Sequence, residues 1–225
     1  MPLQRQRLLR RLPAWTFAGG TGVYALAWVT VSGSILGMSA VARVDDSLGH
    51  RTPLPGVGNF ARVDDRVLRG AAPSAEGYRR LAGLGVVTVV DLRAERPSAA
   101  RAALPGRAGL AVVGLPIRDG QPPSAGQVDR FMTVVHRARG RVFVHCGAGV
   151  GRTGSMAAAY LVRTGQADAR TATRRSLAVG PPSLEQVAFM RRLNGDRVRR
   201  PPAPVVALSR LADSPRRFWS RLTHP

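Results

Sequence analysis

Hydrophobic and polar positions fall into three regimes along the chain. From Leu12 to Ala42 no residue is charged, a run longer than the roughly 20 residues a bilayer-crossing helix needs. From about residue 60, short apolar runs alternate with amphipathic stretches. After residue 195 the pattern gives way to proline and arginine. In the middle regime, apolar runs predict strands at Ala61–Val63, Val67–Arg69, Val86–Asp91, Ala111–Leu115 and Val142–Cys146. Helical spacing predicts helices from a Ser74 cap through Leu81, and over Ser98–Leu104, Ser124–Arg137, Thr153–Arg163, Asp168–Leu177 and Leu184–Leu193. Strands alternating with helices imply an α/β fold, a central, largely parallel sheet flanked by helices.

This divides the chain into a basic N-terminal segment with a membrane anchor or signal peptide (1–42), a linker (43–59), one domain (60–195) and a Pro/Arg-rich tail (196–225) read as loose. Arg5, Arg7, Arg10 and Arg11 precede the apolar run, and only Arg43 and Arg51 follow it closely. The positive-inside rule then leaves the N-terminus in the cytoplasm and the domain extracytoplasmic, behind a single N-terminal span. The competing fate is cleavage after Ala40-Val41-Ala42, which would release a secreted protein. The run exceeds the 7–15 residues of a signal-peptide core, which favours the anchor.

Charge changes the picture less than its size implies. The net charge is +21, but every basic residue among the 34 is arginine, and these are spread along the chain. That reads as compositional bias, and nucleic acid is not the expected partner. A single cysteine excludes an internal disulfide and any multi-cysteine metal site, and the four histidines show no metal-ligand spacing.

Candidate chemistry concentrates in Val142-Phe-Val-His-Cys-Gly-Ala-Gly-Val-Gly-Arg-Thr-Gly154. A strand runs into Cys146, three glycines follow within five residues, and a helix begins near Arg152. Such a turn can aim successive N–H groups at an anion, with the helix dipole behind them. Cys146 at the floor of the cup feels the same field, which favours its thiolate. Arg152 at the rim can hold two phosphate oxygens, and the Thr153 hydroxyl can hydrogen-bond Cys146. A Walker-type loop is excluded by spacing and by the lack of lysine. A dinucleotide fingerprint through Gly149, Gly151 and Gly154 has no acid closing the next strand, since Asp168 sits in a helix-like segment.

His145-Cys146-x5-Arg152-Thr153 resembles the signature of the protein tyrosine phosphatase superfamily. Val67-Leu-Arg-Gly-Ala-Ala-Pro-Ser and Gly85-Val-Val-Thr-Val-Val-Asp-Leu-Arg resemble its dual-specificity-like branch, with Gly70 where that branch usually has serine. The resemblance covers roughly residues 60–195. It implies the cysteine-phosphatase fold and metal-independent hydrolysis of phosphomonoesters through a phosphocysteine, with no cofactor. Cys146 would be the nucleophile, and Gly147, Ala148, Gly149, Val150, Gly151 and Arg152 the phosphate-binding loop. Thr153 would assist the sulphur, and His145 would support the loop. An upstream aspartate should act as general acid, and Asp119, in a Gly/Pro loop 27 residues before Cys146, fits best. Asp91 reads as a structural partner of Arg93, and Gln186 as a helix-surface residue. The neutral loop side chains favour a phosphoprotein substrate. Arg69, Arg93 and Arg118 keep phosphoinositides or inositol polyphosphates as the alternative, and a membrane-anchored phosphate-binding module without turnover is a third reading. Membrane contact would run through the N-terminal helix.

Overall fold

The computed structural model describes residues 14–45, 48, 51–195 and 197–213, without the side chains of 14–21 and 23. The arginines ahead of the apolar run and the last twelve residues of the Pro/Arg-rich tail lie outside the described residues. Five strands form one sheet: β1 (Ala61–Arg62), β2 (Val67–Ala71), β3 (Val86–Arg93), β4 (Ala111–Ile117) and β5 (Arg141–Cys146), in the order β1-β2-β5-β3-β4. Only β1 is antiparallel to its neighbour; β2, β5, β3 and β4 are parallel. The expected fold class is therefore observed.

The helices are α1 (Ala14–Arg43), α2 (Ala75–Gly83), α3 (Ala99–Ala102), α4 (Leu104–Arg107), α5 (Ala125–Arg137), α6 (Gly151–Arg163), α7 (Ala169–Val179), α8 (Leu184–Met190) and α9 (Ala203–Ala212). Their caps explain where they begin. The hydroxyls of Ser74, Ser124 and Ser183 accept from N–H groups three residues on, and Asp168 caps α7 in the same way. Ser124–Gln127 and Ser183–Gln186 are complete capping boxes. The helix expected over Ser98–Leu104 breaks into α3 and α4, with Pro105 in the first turn of α4, where its missing N–H does no harm.

Strand alternation sorts the core into two layers. Leu68, Val89 and Phe143 face α2, where Tyr78 and Leu81 pack. Val67, Val90, Val142 and Val144 face the other way, onto Val128 and Phe131 of α5 and Met156 of α6. Phe131, Phe143 and Phe189 are fully buried, and truncating one such ring costs about 3–5 kcal/mol. Residues 54–60 already pack: Leu54 bridges Val57, and Val57 and Phe60 join the α2-side core.

The first and last described helices meet on one flank. The C-terminal part of α1 docks on α7, with Ile35, Ser39 and Ala42 buried. The Ser39 hydroxyl donates to the Leu177 carbonyl at 2.7 Å, and Arg174 pairs with Asp45 at 2.5 Å. Tyr24–Arg43 of α1 is long and apolar enough to cross a membrane, a property that signal sequences near an N-terminus share. Leu26, Val29, Leu36 and Val41 on it are exposed. The proline-rich stretch after residue 200 is not loose as far as Asp213. It forms α9, because buried Ser209 accepts the Glu185 N–H at 3.0 Å, and Tyr24 donates to the Leu211 carbonyl at 3.3 Å.

A polar knot fastens the β1–β2 turn to α6. Asp64 accepts from the Tyr160 hydroxyl (2.6 Å), Gln166 (2.9 Å) and the N–H groups of Val67 (2.7 Å) and Arg66 (2.9 Å). Burial opposes its charge, but these hydrogen bonds outweigh burial and hold its pKa below the usual carboxylate value. Burial, then the Asp64 contact, raises Tyr160 to about 12. A carboxylate with a depressed folded pKa stabilises above its unfolded pKa, and that contribution fades as pH falls through the folded value. Asp64→Asn should therefore lose about 1 kcal/mol at pH 7, a modest figure because solvent partly screens the site. Urea denaturation of the two proteins should converge as pH drops below about 4.

Candidate active site

Cys146 ends β5, the central strand, between β2 and β3. Open α/β sheets carry their sites at the carboxyl ends of strands, where strand order reverses, and this is such a place. The loop 147–150 follows, and α6 starts at Gly151, two residues earlier than its periodicity predicts.

The loop's shape follows from what holds its carbonyls. The Ala72 N–H donates to Gly147 O at 3.0 Å, and Asn59 Nδ2 to Ala148 O at 2.9 Å. Arg69 Nη2 donates to Gly149 O at 3.0 Å and to Val150 O at 3.3 Å. Gly154 N–H also donates to Val150 O (2.8 Å), and the Ser155 hydroxyl to Gly151 O (3.0 Å). A peptide unit is planar with its N–H opposite its C=O, so carbonyls tied outward turn the following N–H groups inward. Among the described residues no acceptor takes the N–H groups of Ala148 through Gly151. They form a nest of donors at the positive end of α6, next to the sulphur.

Close packing beneath the loop leaves room only for glycine at two positions. Gly149 has φ +72°, and a Cβ there would lie 2.2 Å from the Gly70 carbonyl carbon. At Gly70, the serine of related sequences would bring its Cβ to 2.7 Å from Val57 Cγ1 and 3.1 Å from Phe143 Cζ. The departure at Gly70 thus goes with the packing of Val57.

Arg152 is buried at the rim. Its Nη1 donates to Glu95 Oε2 at 2.8 Å and to the Ile117 carbonyl at 3.1 Å, and its Nη2 lies 3.4 Å from Asp119 Oδ1. Burial works against its charge, but Glu95, Cys146 and Asp119 outweigh that and raise its pKa. The structure thus brings Asp119 to the arginine that shares a loop with Cys146. Two buried side chains hold the Asp119 loop: Ser183 Oγ donates to Gly120 O at 2.7 Å, and Gln186 Nε2 to Gln121 O at 3.0 Å. Gln186 is therefore not a helix-surface residue. It is 1% exposed and packs so tightly on Gly151 that a Cβ there would meet its Oε1 at 2.3 Å.

His145 points away from the cup. Its Nδ1 lies 3.1 Å from the Cys146 carbonyl, which can only accept, so Nδ1 carries the proton. Its ring stacks on Phe143, and burial lowers its pKa despite Asp91 at 3.9 Å, so it is neutral at pH 7. Asp91 is Arg93's partner, with two short contacts of 2.7 and 3.0 Å between side chains. Thr153 is fully buried, and its hydroxyl has no hydrogen-bond partner, so the expected bond to Cys146 is not formed.

Sequence reasoning missed the contribution of five residues. Glu95, Arg69 and Asn59 reach the loop from elsewhere in the chain, and Ser183 with Gln186 fixes the Asp119 loop. Only Glu95 left a signal, an acid just past the carboxyl end of a strand. Arg69 is a buried cation: desolvation lowers its pKa to about 10 against the opposing charge of Cys146.

Gly149→Ala should displace the loop and weaken vanadate binding by about 100-fold, as misplacement by an ångström does. Arg69→Lys, which cannot span two carbonyls with a planar fork, should weaken it less while leaving the far-ultraviolet circular dichroism unchanged. Vanadate titration of the folded variants checks both.

Comparison with known proteins agrees with this geometry. Residues 57–192 match the family model described as DSP-PTPase phosphatase fused to NAD+ kinase. A stretch of 45 residues is 42% identical to the human dual specificity protein phosphatase CDC14C, covering 20% of this chain and 10% of that protein. The chain spans about a tenth of the length of the curated relatives it matches. P. aeruginosa TpbA, solved in complex with pTyr, shares the fold at 24% identity and a TM-score of 0.50, over 70% of this chain and 96% of that one. So does the core catalytic domain of the S. cerevisiae PP-IP phosphatase SIW14, solved with citrate, at 14% identity and a TM-score of 0.54, over 64% and 89%. With the family model matched across the whole sheet and its loop, this chain belongs to the dual-specificity-like cysteine phosphatases of the protein tyrosine phosphatase superfamily.

Proposed function

We propose that this protein hydrolyses phosphomonoesters through a phosphocysteine intermediate, without a metal, and that its substrates are phosphoproteins. The observation that carries the reading is the ring of inward N–H groups beside Cys146, with Arg152 and Asp119 3.4 Å apart at its edge. The Cys146 sulphur, as thiolate, attacks phosphorus. The bond to the leaving oxygen breaks, and Asp119 gives that oxygen its proton. The loop N–H groups and Arg152 bind the equatorial oxygens, where charge builds. In the second step the Asp119 carboxylate takes a proton from water, the water oxygen attacks phosphorus, and the sulphur leaves with its electron pair. The Thr153 hydroxyl, which makes no bond to Cys146 in the resting structure, donates to that sulphur as its charge returns. Glu95 and the Ile117 carbonyl keep the Arg152 fork flat before substrate arrives.

Charge at the mouth favours proteins over polyphosphates. The loop side chains from Gly147 to Gly151 are neutral. Arg93 is engaged by Asp91, and Arg69 lies beneath the loop. Of the three arginines that would attract a multiply charged head group, Arg118 alone remains exposed beside Asp119.

The same reading retains α1 as an anchor. Cleavage after Ala42 would remove Ile35, Ser39 and Ala42, which are packed into the domain. Tyr24–Arg43 has the length and apolarity of a span. The arginine distribution then puts the catalytic domain outside the cytoplasm.

Cys146→Ser should abolish turnover but keep vanadate binding, and chelators should have no effect on the wild type. Asp119→Ala should slow phosphotyrosine peptides by about 100-fold or more, and nitrophenyl phosphate far less, because nitrophenolate leaves without a proton. Turnover persisting in Cys146→Ser would sink the mechanism. A panel of phosphopeptides, phosphoinositides and inositol phosphates decides the substrate class. Protease treatment of intact cells should digest the catalytic domain if the topology is right.

A further inference from the structure

Behind the catalytic loop, on the α6–α7 side of the sheet, lies a cavity of about 360 Å³. Its walls are chemically lopsided. Val63 and Leu161 contribute apolar surface, while Arg62, Arg69 and Arg175 contribute three cations, and no aspartate or glutamate lines it. Arg62 pairs at the surface with exposed Asp65. Among the described residues neither Arg69 nor Arg175 has an acidic partner.

Three buried polar atoms of lining residues also lack partners: Arg69 Nε, Arg175 Nε and Ser176 Oγ. Arg69 is 4% exposed and Ser176 2%. Protein interiors satisfy such groups, and an unpaired buried cation is costly. Gly154 lets them converge, since a Cβ there would lie 2.0 Å from Ser176 Oγ and 3.3 Å from Arg69 Nη2. Donors without acceptors and cations without anions, set in an apolar wall, describe the complement of one kind of ligand.

We propose that this cavity is a second anion site, separate from the catalytic loop, which takes a small phosphate or carboxylate carried on a short apolar body. The anionic head meets Arg69 Nε, Arg175 and the Ser176 hydroxyl, and the body lies against Val63 and Leu161. Arg69 turns its Nη2 to the carbonyls of Gly149 and Val150, so the occupant shares one guanidinium with the active-site loop. The inference does not depend on turnover at Cys146.

The test follows arginine Nε–Hε resonances of the full-length protein in nonionic detergent during titration with propylphosphonate, butyrate or 1-propanol. Propylphosphonate should shift Arg175 saturably, and the shift should persist in Arg152→Ala, which disables the catalytic loop. Arg175→Ala should abolish this binding while leaving aryl phosphate turnover within about twofold, and Arg175→Lys should restore it in part. A butyrate response equal to that of propylphosphonate extends the class to carboxylates, and its absence confines it to phosphates. The proposal fails if 1-propanol shifts Arg175 equally, if the shift vanishes with Arg152→Ala, or if no saturation occurs below about 10 mM.

Discussion

Everything at the catalytic end of this sheet depends on the outward tethering of five consecutive carbonyls, Gly147 to Gly151. A glycine-rich loop has many conformations, and nothing in its own side chains selects one. Selection comes from outside, through the Ala72 amide, Asn59, Arg69 and Ser155. Each bond contributes only about 1 kcal/mol net. Together they fix which way the amide hydrogens face before any anion arrives, and preorganisation of that kind is the main source of electrostatic catalysis.

The tethers constrain their neighbours in turn. Arg69 must be buried to reach the loop from β2, Gly70, one residue on, must lack a side chain because Val57 and Phe143 fill that space, and Gly149 must lack one because the Gly70 backbone lies against it. β2 pairs with β5 in a register that sets Gly70 opposite His145 and Ala71 opposite Cys146. The sheet therefore delivers Cys146 and the support for its loop in the same step. His145 completes the arrangement from behind, neutral and bonded to the Cys146 carbonyl, so that no positive imidazolium competes with Arg152 for the substrate.

What was legible in the sequence was what is local along it. Cys146, the glycines and Arg152 lie within seven residues between a strand and a helix, and the alternation of apolar runs was enough to locate the strands. Asp119 was legible because the loop after a strand has a compositional mark. The supports were not legible, because they are contacts across the fold. Asn59 is 89 residues from Ala148, Arg69 is 80 from Gly149, and Glu95 is 57 from Arg152. Gln186 was misread for the same reason: its capping-box signature describes its own helix and says nothing of the loop it covers. The tail was misread because its prolines mask a helix that Ser209 and Leu211 dock onto α8 and α1.

The first turn of α8 touches both halves of the site. Ser183 and Gln186 hold Gly120 and Gln121, and Gln186 lies against Gly151. The segment bearing Asp119 and the segment bearing Cys146 thus share this fastening in addition to Arg152, which binds the Ile117 carbonyl and lies 3.4 Å from Asp119. The amides around residues 120, 151 and 186 should therefore exchange with solvent together. A perturbation that loosens that turn, wherever it originates, reaches Asp119 and Gly151 at once.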